Sequence, residues 1–345
     1  MLVDELDVVI GVDTHKRSHT AAVVSVTGVL LERLTVPADP AGCRRLLALA
    51  AGHGRRIWAV EGTGTYGAGL TRLLLSHGER VLEVDRPARP ARRGGVKNDD
   101  VDAVRAARQA LSGEATAQPR CRGGREAIRV LLTTRAQVVE FRTQAIAALH
   151  ALVTTAPDDI RQRLRDLPLG ALVRSCAALR GSSRQDAEAF ATTMALRATA
   201  RRIAAFDDEA RTLENQIRAL VSQLAPHLLE VCGVGPIVAG QVLISWSHRG
   251  RVRSEAAFAK LAGGAPIEAS SGEVVRHRLC RSGDRQLNRA LHTVVLTRTR
   301  QDPATRAYVA RRLAEGKTMR EIKRCLKRYV ARQLYRQLEH SGATA

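Results

Sequence analysis

Two aspartates one helical turn apart, Asp99 and Asp102, lie in the basic stretch RRGGVKNDDVDA at residues 92–103. From Val101 onward apolar residues recur at helical spacing, and residues three apart on a helix project from the same face. The two carboxylates can therefore bind one metal ion. The alternative is that an acid here caps the helix, because the helix dipole favours negative charge at its start. The positions of the other acids bear on this choice.

Two further acids, Asp13 and Glu61, each end a predicted strand. The predicted elements are strands at 8–13, 20–26, 29–36, 56–61 and 80–85, and helices at 40–51, 66–76 and from 101. Three strands in succession, followed by alternating helices and strands, is the element order of an RNase H-like domain. In such a sheet the first strand is central and the fourth lies beside it. Asp13 and Glu61 are therefore predicted to be neighbours, with the third helix crossing the same edge.

Four carboxylates that converge on one place repel each other unless cations neutralise them, and Mg²⁺ prefers oxygen ligands. Two such ions about 3.5–4 Å apart can activate an attacking oxygen and stabilise a leaving one in phosphoryl transfer. The sequence therefore predicts a site for two Mg²⁺ ions, with Mn²⁺ as an alternative, and phosphodiester chemistry. Its predicted ligands are Asp13, Glu61, Asp99 and Asp102.

The chain of 345 residues carries 55 Lys and Arg against 34 Asp and Glu, a formal net charge of +21. This excess indicates a polyanionic partner, and arginine suits phosphate in particular. Aromatic residues make up only 3% of the chain, which argues against a base-stacking platform. The six cysteines show no metal-ligand or disulfide spacing, and no apolar run reaches about 20 residues. The acidic start of the sequence leads straight into a strand, so no signal peptide is expected. A soluble, cytoplasmic protein is expected.

A competing interpretation rests on the segment Gly62–Gly67, which matches GxGxxG, follows a strand and opens a helix. Glu83 and Asp85 follow about 20 residues later, as in a dinucleotide site. However, the motif follows the fourth strand rather than the first, and Glu61 would repel a pyrophosphate. The glycines instead suit a tight turn that approaches a nucleic-acid strand.

The rest of the chain is predicted to be mainly helical. Long helical patterns at 125–153 and 198–224 indicate an antiparallel coiled coil, within the chain or between chains, with a small helical insertion at 155–197. Gly233 and Gly235 form a turn that either offers N–H groups to a phosphate or allows a close helix crossing. Further helices are predicted at 298–312 and 318–338, where basic residues form a phosphate-binding surface or a solvated face.

A Ser-Ser-Gly sequence begins at Ser270, and by residue chemistry alone its serines are turn formers. Basic residues follow it closely. The predicted nucleic-acid contacts of the whole chain are Lys97, Gly233, Gly235, Arg276, Arg278, Arg281 and Arg285.

Four separated motifs resemble those of the DEDD transposases of the IS110 group of insertion sequences, relatives of the Piv-type DNA invertases. They are GVDTHK at 11–16, VEGTGTYG at 60–67, EVDRP at 83–87 and KNDDVDA at 97–103. The resemblance carries the family's acid tetrad onto Asp13, Glu61, Asp99 and Asp102. It also implies that Ser271, or less favourably Ser270, is a nucleophile that attacks a DNA phosphate.

The resemblance implies an α/β plus α architecture in three parts. These are a RuvC-like, RNase H-like domain with a mixed sheet at 1–122, a coiled-coil spacer at 123–224 and a mainly helical C-terminal domain at 225–345. It implies a prokaryotic, nucleoid-associated DNA transposase or recombinase, guided by a structured bridge RNA and working as a homo-oligomer, a dimer that assembles to a tetramer. Two alternatives stay open: a Holliday-junction-type nuclease that uses only the acid tetrad, and a non-enzymatic DNA-binding protein.

Overall fold

The structure, a computed structural model, describes residues 5–84, 99–113, 117–182, 186–268, 277–279 and 283–340, with only the backbone of residues 99–101 and 277–279. The chain divides into two compact units, Met1–Arg120 and Cys121–Ala345. The three-part division inferred from the sequence stays a prediction.

The N-terminal unit contains a five-stranded sheet in the order β3-β2-β1-β4-β5. The strands are β1 (Val8–Thr14), β2 (Ser18–Ser25), β3 (Leu30–Pro37), β4 (Arg56–Glu61) and β5 (Val81–Val84). β1 runs antiparallel to β2 and parallel to β4, and β4 runs parallel to β5. This confirms the predicted mixed sheet with the first strand at its centre and the fourth beside it. The arrangement is consistent with an RNase H-like domain.

Helices cover both faces of this sheet. They are α1 (Pro40–Ala51), α2 (Ala68–Ser76) and α3 (Asp99–Leu111). Successive side chains of a strand point to opposite faces. Ile10 and Val12 of β1 therefore pack with α1 and α2 on one face, whereas Val9 packs on the other face with α3. Gly11 and Asp13 share the face of Val9, so they lie on the side that α3 covers.

The backbone of α3 packs directly against β1 at Gly11. A Cβ atom built on Gly11 would lie 2.0 Å from the carbonyl oxygen of Ala103 and 2.6 Å from the amide nitrogen of Ala107. Among the described side chains of α3, the buried ones are all alanines, Ala103, Ala106, Ala107 and Ala110. Because neither surface carries a bulky side chain here, the helix approaches the strand more closely than ordinary packing allows.

The elements of the C-terminal unit follow in chain order. The helices are α4 (Gly124–Thr155), α5 (Asp158–Leu164), α6 (Leu169–Ala178), α7 (Ala187–Leu224), α8 (Pro236–Trp246), α9 (Glu255–Leu261), α10 (Arg285–Gln301), α11 (Pro303–Ala314) and α12 (Met319–His340), with a 3-10 turn at Pro226–Glu230 and a hairpin of β6 (Pro266–Glu268) and β7 (His277–Leu279). Among the described residues, no helix combines the length and the apolarity that a bilayer crossing requires.

The long helices α4 and α7 pack along each other in antiparallel orientation. Arg135 of α4 pairs with Glu214 at 2.8 Å, and Arg142, two turns further along α4, pairs with Asp207, which lies earlier in α7. One end of the pair encloses a core with α5 and α6, and the other end shares a core with α8, α10 and α12. Pairing within the chain is thus established, and coiled-coil geometry stays a prediction.

Two predicted helix boundaries are wrong. The second long helix begins at Ala187 rather than 198, because Asp186 caps it by accepting a hydrogen bond from the Ala189 amide, so the helical insertion is shorter than predicted. The single helix predicted at 298–312 is two helices, α10 and α11. Asp302 caps α11, and Pro303 occupies its first turn, where the missing proline N–H costs nothing.

Glu79, next to the sheet edge, is a buried acid with several hydrogen-bond donors. Its carboxylate accepts hydrogen bonds from Arg56 Nε at 3.0 Å and from Trp58 Nε1 at 2.9 Å. Burial acts to raise its pKa, but the bonds from Arg56 and Trp58 outweigh burial and hold the pKa below the ordinary glutamate value. Folding therefore favours the ionised form of Glu79.

We expect Gly11→Ala to destabilise the protein by about 1–3 kcal/mol, because the new methyl group collides with the backbone of α3. Gly69→Ala is the matched control. A Cβ at Gly69 would meet nothing within 4 Å, and alanine is the better helix former, so this variant should be neutral or slightly stabilised. Thermal unfolding of both variants measures the difference, and equal unfolding temperatures would contradict the described packing of α3.

Glu79→Gln should lower stability at neutral pH and flatten the acid side of the stability profile. Because the folded-state pKa of Glu79 is lowered, its ionised form stabilises the fold above the unfolded-state pKa of about 4.3, and this contribution disappears as pH falls below that value. The difference in stability between the variant and wild type should therefore narrow below about pH 4. Thermal unfolding against pH tests this, with Asp166→Asn, an exposed acid, as control. A stability difference that stays constant into the acid range would show that ionisation of Glu79 does not contribute to stability.

Candidate metal and nucleic-acid site

Asp13 and Glu61 lie at adjacent carboxyl ends of parallel strands. The paired register of β1 and β4 runs to Val12 and Val60, and each acid is the next residue of its strand. The hydroxyl of Thr14 donates to the Glu61 carbonyl oxygen at 2.8 Å, which ties the two strand ends together. By strand alternation both acids project from the face that α3 covers. The structure thus brings these two predicted site residues together.

Asp13 is a buried carboxylate, with 7% of its side chain exposed. The His15 side chain is partly exposed, and its Nδ1 atom lies 3.5 Å from the Oδ2 atom of Asp13. On β2, His19 shares the strand side of Ala21 and Val23, so it is buried on the opposite face of the sheet, which α1 and α2 cover. Burial lowers the pKa of His19 below the ordinary histidine value. His19 is therefore not part of the site that contains Asp13.

Asp102 lies in the first turn of α3, beside the residue that contacts Gly11 of β1. Its Oδ1 atom accepts a hydrogen bond from Arg105 Nη1 at 2.6 Å, and 32% of its side chain is exposed. Asp99 is the first residue of α3, one turn before Asp102 as predicted, but its side chain lies outside the described part of the structure. The first turn of α3 thus brings a third acid to the side of the sheet where Asp13 and Glu61 lie.

Within the described side chains, no three His, Cys, Asp or Glu residues are arranged to hold one metal ion. The Asp99 side chain is not among those described, and the Asp102 carboxylate accepts a hydrogen bond from Arg105. The donor chemistry nevertheless fits Mg²⁺, because Asp13 and Glu61 belong to the face of the sheet that α3 covers and Asp102 lies in the first turn of that helix. The assignment of the tetrad as metal ligands stays a prediction.

The other predicted contacts lie mostly outside the described residues. Arg285 is the exposed first residue of α10, and Arg278 lies in β7, where only the backbone is described. The predicted residues that fall outside the description are Lys97, Ser270, Ser271, Arg276 and Arg281. Their predicted roles are neither supported nor contradicted by the fold.

The segment Gly62–Gly67 forms a compact turn. The amides of Thr65 and Gly67 both donate to the Gly62 carbonyl oxygen, at 2.8 and 3.1 Å, and Gly62 has a φ of +69° that favours glycine. These two amides are therefore not available to a pyrophosphate. The structure thus speaks against the dinucleotide-site interpretation of this motif.

The two glycines of the Gly-Val-Gly turn differ in their surroundings. Gly233 has a φ of +82°, and its Cβ position lies 3.2 Å from the Val294 carbonyl oxygen of α10, so backbone conformation and close packing both require glycine. Gly235 precedes α8, and a Cβ there would meet nothing within 4 Å. The close-crossing alternative accounts for Gly233, whereas phosphate contact at Gly235 stays a prediction.

Sequence reasoning missed two residues that shape this site, Gly11 and Arg105. Gly11 sets the distance between α3 and β1, and Arg105 holds Asp102. A signal for the first was present, because Gly11 lies two residues before Asp13 and therefore on the same strand face, while α3 carries alanines four apart at 103 and 107.

Comparisons with known proteins match both parts of the chain. A DEDD-type family model of the IS110 group, described as a transposase, matches residues 10–156, and a second model, for the transposase family of IS116, IS110 and IS902, matches residues 225–310. The chain belongs to the IS110 family of transposases. All four predicted acids fall within the first match, and Ser271 falls within the second.

Two relatives of this IS110-family chain come from insertion elements. The chain is 35% identical over 119 residues to the insertion element IS110 uncharacterized 43.6 kDa protein of Streptomyces coelicolor, a match that covers 34% of the chain and 29% of the relative. It is 26% identical over 357 residues to the insertion element IS900 uncharacterized 42 kDa protein of Mycobacterium paratuberculosis, covering 89% of each. The first match thus spans less than a third of that relative, and the second spans most of both chains.

If the acids bind Mg²⁺, the wild-type protein should unfold at a higher temperature when Mg²⁺ is added, and Asp13→Asn and Asp102→Asn should lose that response. Bound ligand at 100 times its dissociation constant adds about 2.7 kcal/mol of stability. Glu83→Gln is the matched control, because Glu83 of β5 projects from the opposite face to Asp13 and should leave the response intact. Equal Mg²⁺ responses in all four proteins would contradict the predicted ligands.

Proposed function

We propose that this IS110-family chain is a DNA transposase that cuts and rejoins DNA strands with a metal-dependent carboxylate site and a serine nucleophile. The observation that carries the proposal is the placement of Asp13 and Glu61 at adjacent ends of β1 and β4, on the face that α3 covers. A non-enzymatic DNA-binding protein needs basic surface but has no use for acids aligned in this way.

The carboxylates of Asp13, Glu61, Asp99 and Asp102 would hold the metal. Bound Mg²⁺ at such a site supplies charge stabilisation to a phosphoryl group in transfer. Among the protein's own groups, Thr14 fixes the end of β4 through the Glu61 carbonyl, and Arg105 holds Asp102 until a cation competes for it. The pair of Arg105 and Asp102 is partly exposed, and such pairs contribute only about 0–1 kcal/mol, so Asp102 would exchange Arg105 for a bound metal at little cost.

Ser271 is the proposed nucleophile. Its Oγ atom forms a bond to phosphorus while the bond between phosphorus and one ester oxygen of the DNA strand breaks, and the serine proton ends on the departing oxygen as a strand hydroxyl. One phosphodiester is exchanged for another, so the reverse attack by a strand hydroxyl rejoins DNA without an energy source. Arginines that follow the serine in sequence, such as Arg276 and Arg278, would offset the charge that develops on the phosphate.

Guidance by a structured bridge RNA and assembly as a homo-oligomer complete the proposal. Both rest on the family resemblance. The net charge of +21 fits a polyanionic partner but does not distinguish RNA from DNA. Base pairing would then choose the sites of exchange, and the protein would supply phosphate contacts and chemistry.

A covalent adduct on Ser271 tests the proposal most clearly. Protein incubated with Mg²⁺ and a nicked DNA substrate should yield a peptide that contains Ser271 linked to a nucleotide, seen by mass spectrometry. Ser271→Ala and Asp13→Asn should each abolish the adduct and strand exchange, whereas Ser270→Ala, the matched neighbour, should retain both.

The alternatives give other results. A Holliday-junction-type nuclease that uses only the tetrad would still cut DNA after Ser271→Ala and would form no adduct. A non-enzymatic binding protein would bind DNA but cut none. Cutting that persists in the double variant Asp99→Asn with Asp102→Asn would remove the metal site from the proposal.

A further inference from the structure

Cations lie next to one another where α10 packs against α12, a place that we call the α10–α12 cleft. Lys323 and Lys327 are one turn apart on α12, and Asn288 and His292 are one turn apart on α10. Lys327 Nζ donates to Asn288 Oδ1 at 2.9 Å, which joins the two helices and fixes the ammonium group in the cleft. Both lysines and His292 are half-buried, so their charges are only partly screened by water.

No acid relieves this concentration of charge within the described part of the chain. The charges that act on Lys327 are those of Arg324 and Lys323, and those that act on His292 are Lys327 and Lys323. Burial, followed by these cations, lowers the pKa of both groups. His292 Nδ1 is also buried without a hydrogen-bond partner in the described structure. Because that atom is enclosed, it is the two partly exposed ammonium groups that indicate a place for an anion.

Two cations further along α12 are paired with an acid. Arg332 and Arg336 lie 3.0 and 3.7 Å from the Glu255 carboxylate of α9. The α10–α12 cleft differs from this part of the helix, because the charges that act on its lysine come from other cations. Holding unneutralised lysines together disfavours the folded state, so a compensating gain from a bound anion is expected.

The cleft lies where both ends of the loop that contains Ser271 are anchored. Asn288 Nδ2 donates to the Ala262 carbonyl oxygen at 2.6 Å, before the loop, and the Asp284 amide, after it, donates to the Leu261 carbonyl oxygen at 2.7 Å. Asn288 therefore contacts both Lys327 and the base of the loop. Residues 269–276 and 280–282 of the loop lie outside the described structure.

We propose that Asn288, His292, Lys323 and Lys327 form a binding site for a backbone phosphate of DNA engaged by the serine loop. The lysines supply charge and hydrogen-bond donors, Asn288 holds Lys327 in place, and His292 lines the cleft beside both lysines. This inference rests on the proposed function in one respect, that DNA is the partner.

The test is the salt dependence of DNA binding by the full chain. Loss of one phosphate contact lowers the slope of log affinity against log salt by about 0.9. Lys327→Gln removes the charge but keeps an amide beside Asn288, so it should lower the slope by about 1 and weaken binding alike on duplexes of unrelated sequence. Lys317→Gln, a lysine in the exposed turn before α12, should keep the wild-type slope.

Lys327→Arg is the control for a structural effect of substitution at this position. It keeps the positive charge, so it should keep the wild-type slope of log affinity against log salt. Thermal unfolding confirms that each variant is folded. An unchanged slope in Lys327→Gln, or an equal drop in Lys317→Gln, would overturn the inference. A drop seen with a structured RNA hairpin but not with duplex DNA would also overturn it, because the site would then belong to RNA.

Binding is measured in EDTA, so no strand cleavage is needed. If wild-type protein binds DNA with a steep salt dependence and Lys327→Gln matches it, only the cleft assignment fails. If wild-type protein shows no salt-dependent affinity for DNA, the proposed function fails and this inference fails with it.

Discussion

The close contact between the backbone of α3 and Gly11 of β1 is the constraint on which the candidate site depends. Strand pairing alone places Asp13 beside Glu61, but it does not bring an acid from any helix near them. The first turn of α3, which carries Asp102, comes to this face of the sheet because Ala103 lies against a strand position without a side chain. A larger residue at Gly11 would push the helix outward, and short aspartate side chains have little reach with which to compensate.

The charges around these acids indicate what the site can bind. The chain as a whole is strongly cationic, which suits a phosphate polymer, yet Asp13 is a buried carboxylate at the edge of the sheet. A buried carboxylate destabilises the folded protein unless a positive group lies close to it. His15 is near Asp13, and Arg105 is bonded to Asp102, so the acids are held by weak, partly exposed partners. A divalent ion is a stronger counter-charge than either, and it would also bring a cationic centre to the DNA phosphate.

Much of the N-terminal fold follows from the sequence because its signals are local. Helix α1 and strand β4 have the predicted bounds, since Asp39 and Pro40 start the helix and glycines follow it. The two wrong boundaries in the C-terminal unit also had local signals. Asp186 and Pro303 are ordinary helix-start residues. The apolar periodicity just after Asp186 is weak, so the helix start there was missed, whereas the periodicity continues across Pro303, so the break there was missed.

The site was predictable only in part. Strand order brings Asp13 and Glu61 together, and strand order can be inferred from the sequence of elements. The roles of Gly11 and Arg105 depend on the distance between a helix and a sheet, which no single-chain pattern specifies. The pairing of Lys327 with Asn288 likewise joins helices that are separated in the chain, so a charge pattern along α12 alone cannot separate a phosphate site from a solvated face.

The most direct test of the account is a crystal structure of the protein grown with Mn²⁺, using anomalous scattering to locate the ion. The account predicts an anomalous peak bound by Asp13 and Glu61, with Asp102 released from Arg105 and directed to the same ion together with Asp99. A peak elsewhere in the molecule, or no peak while Asp102 stays bonded to Arg105 and Asp99 points into solvent, would contradict it.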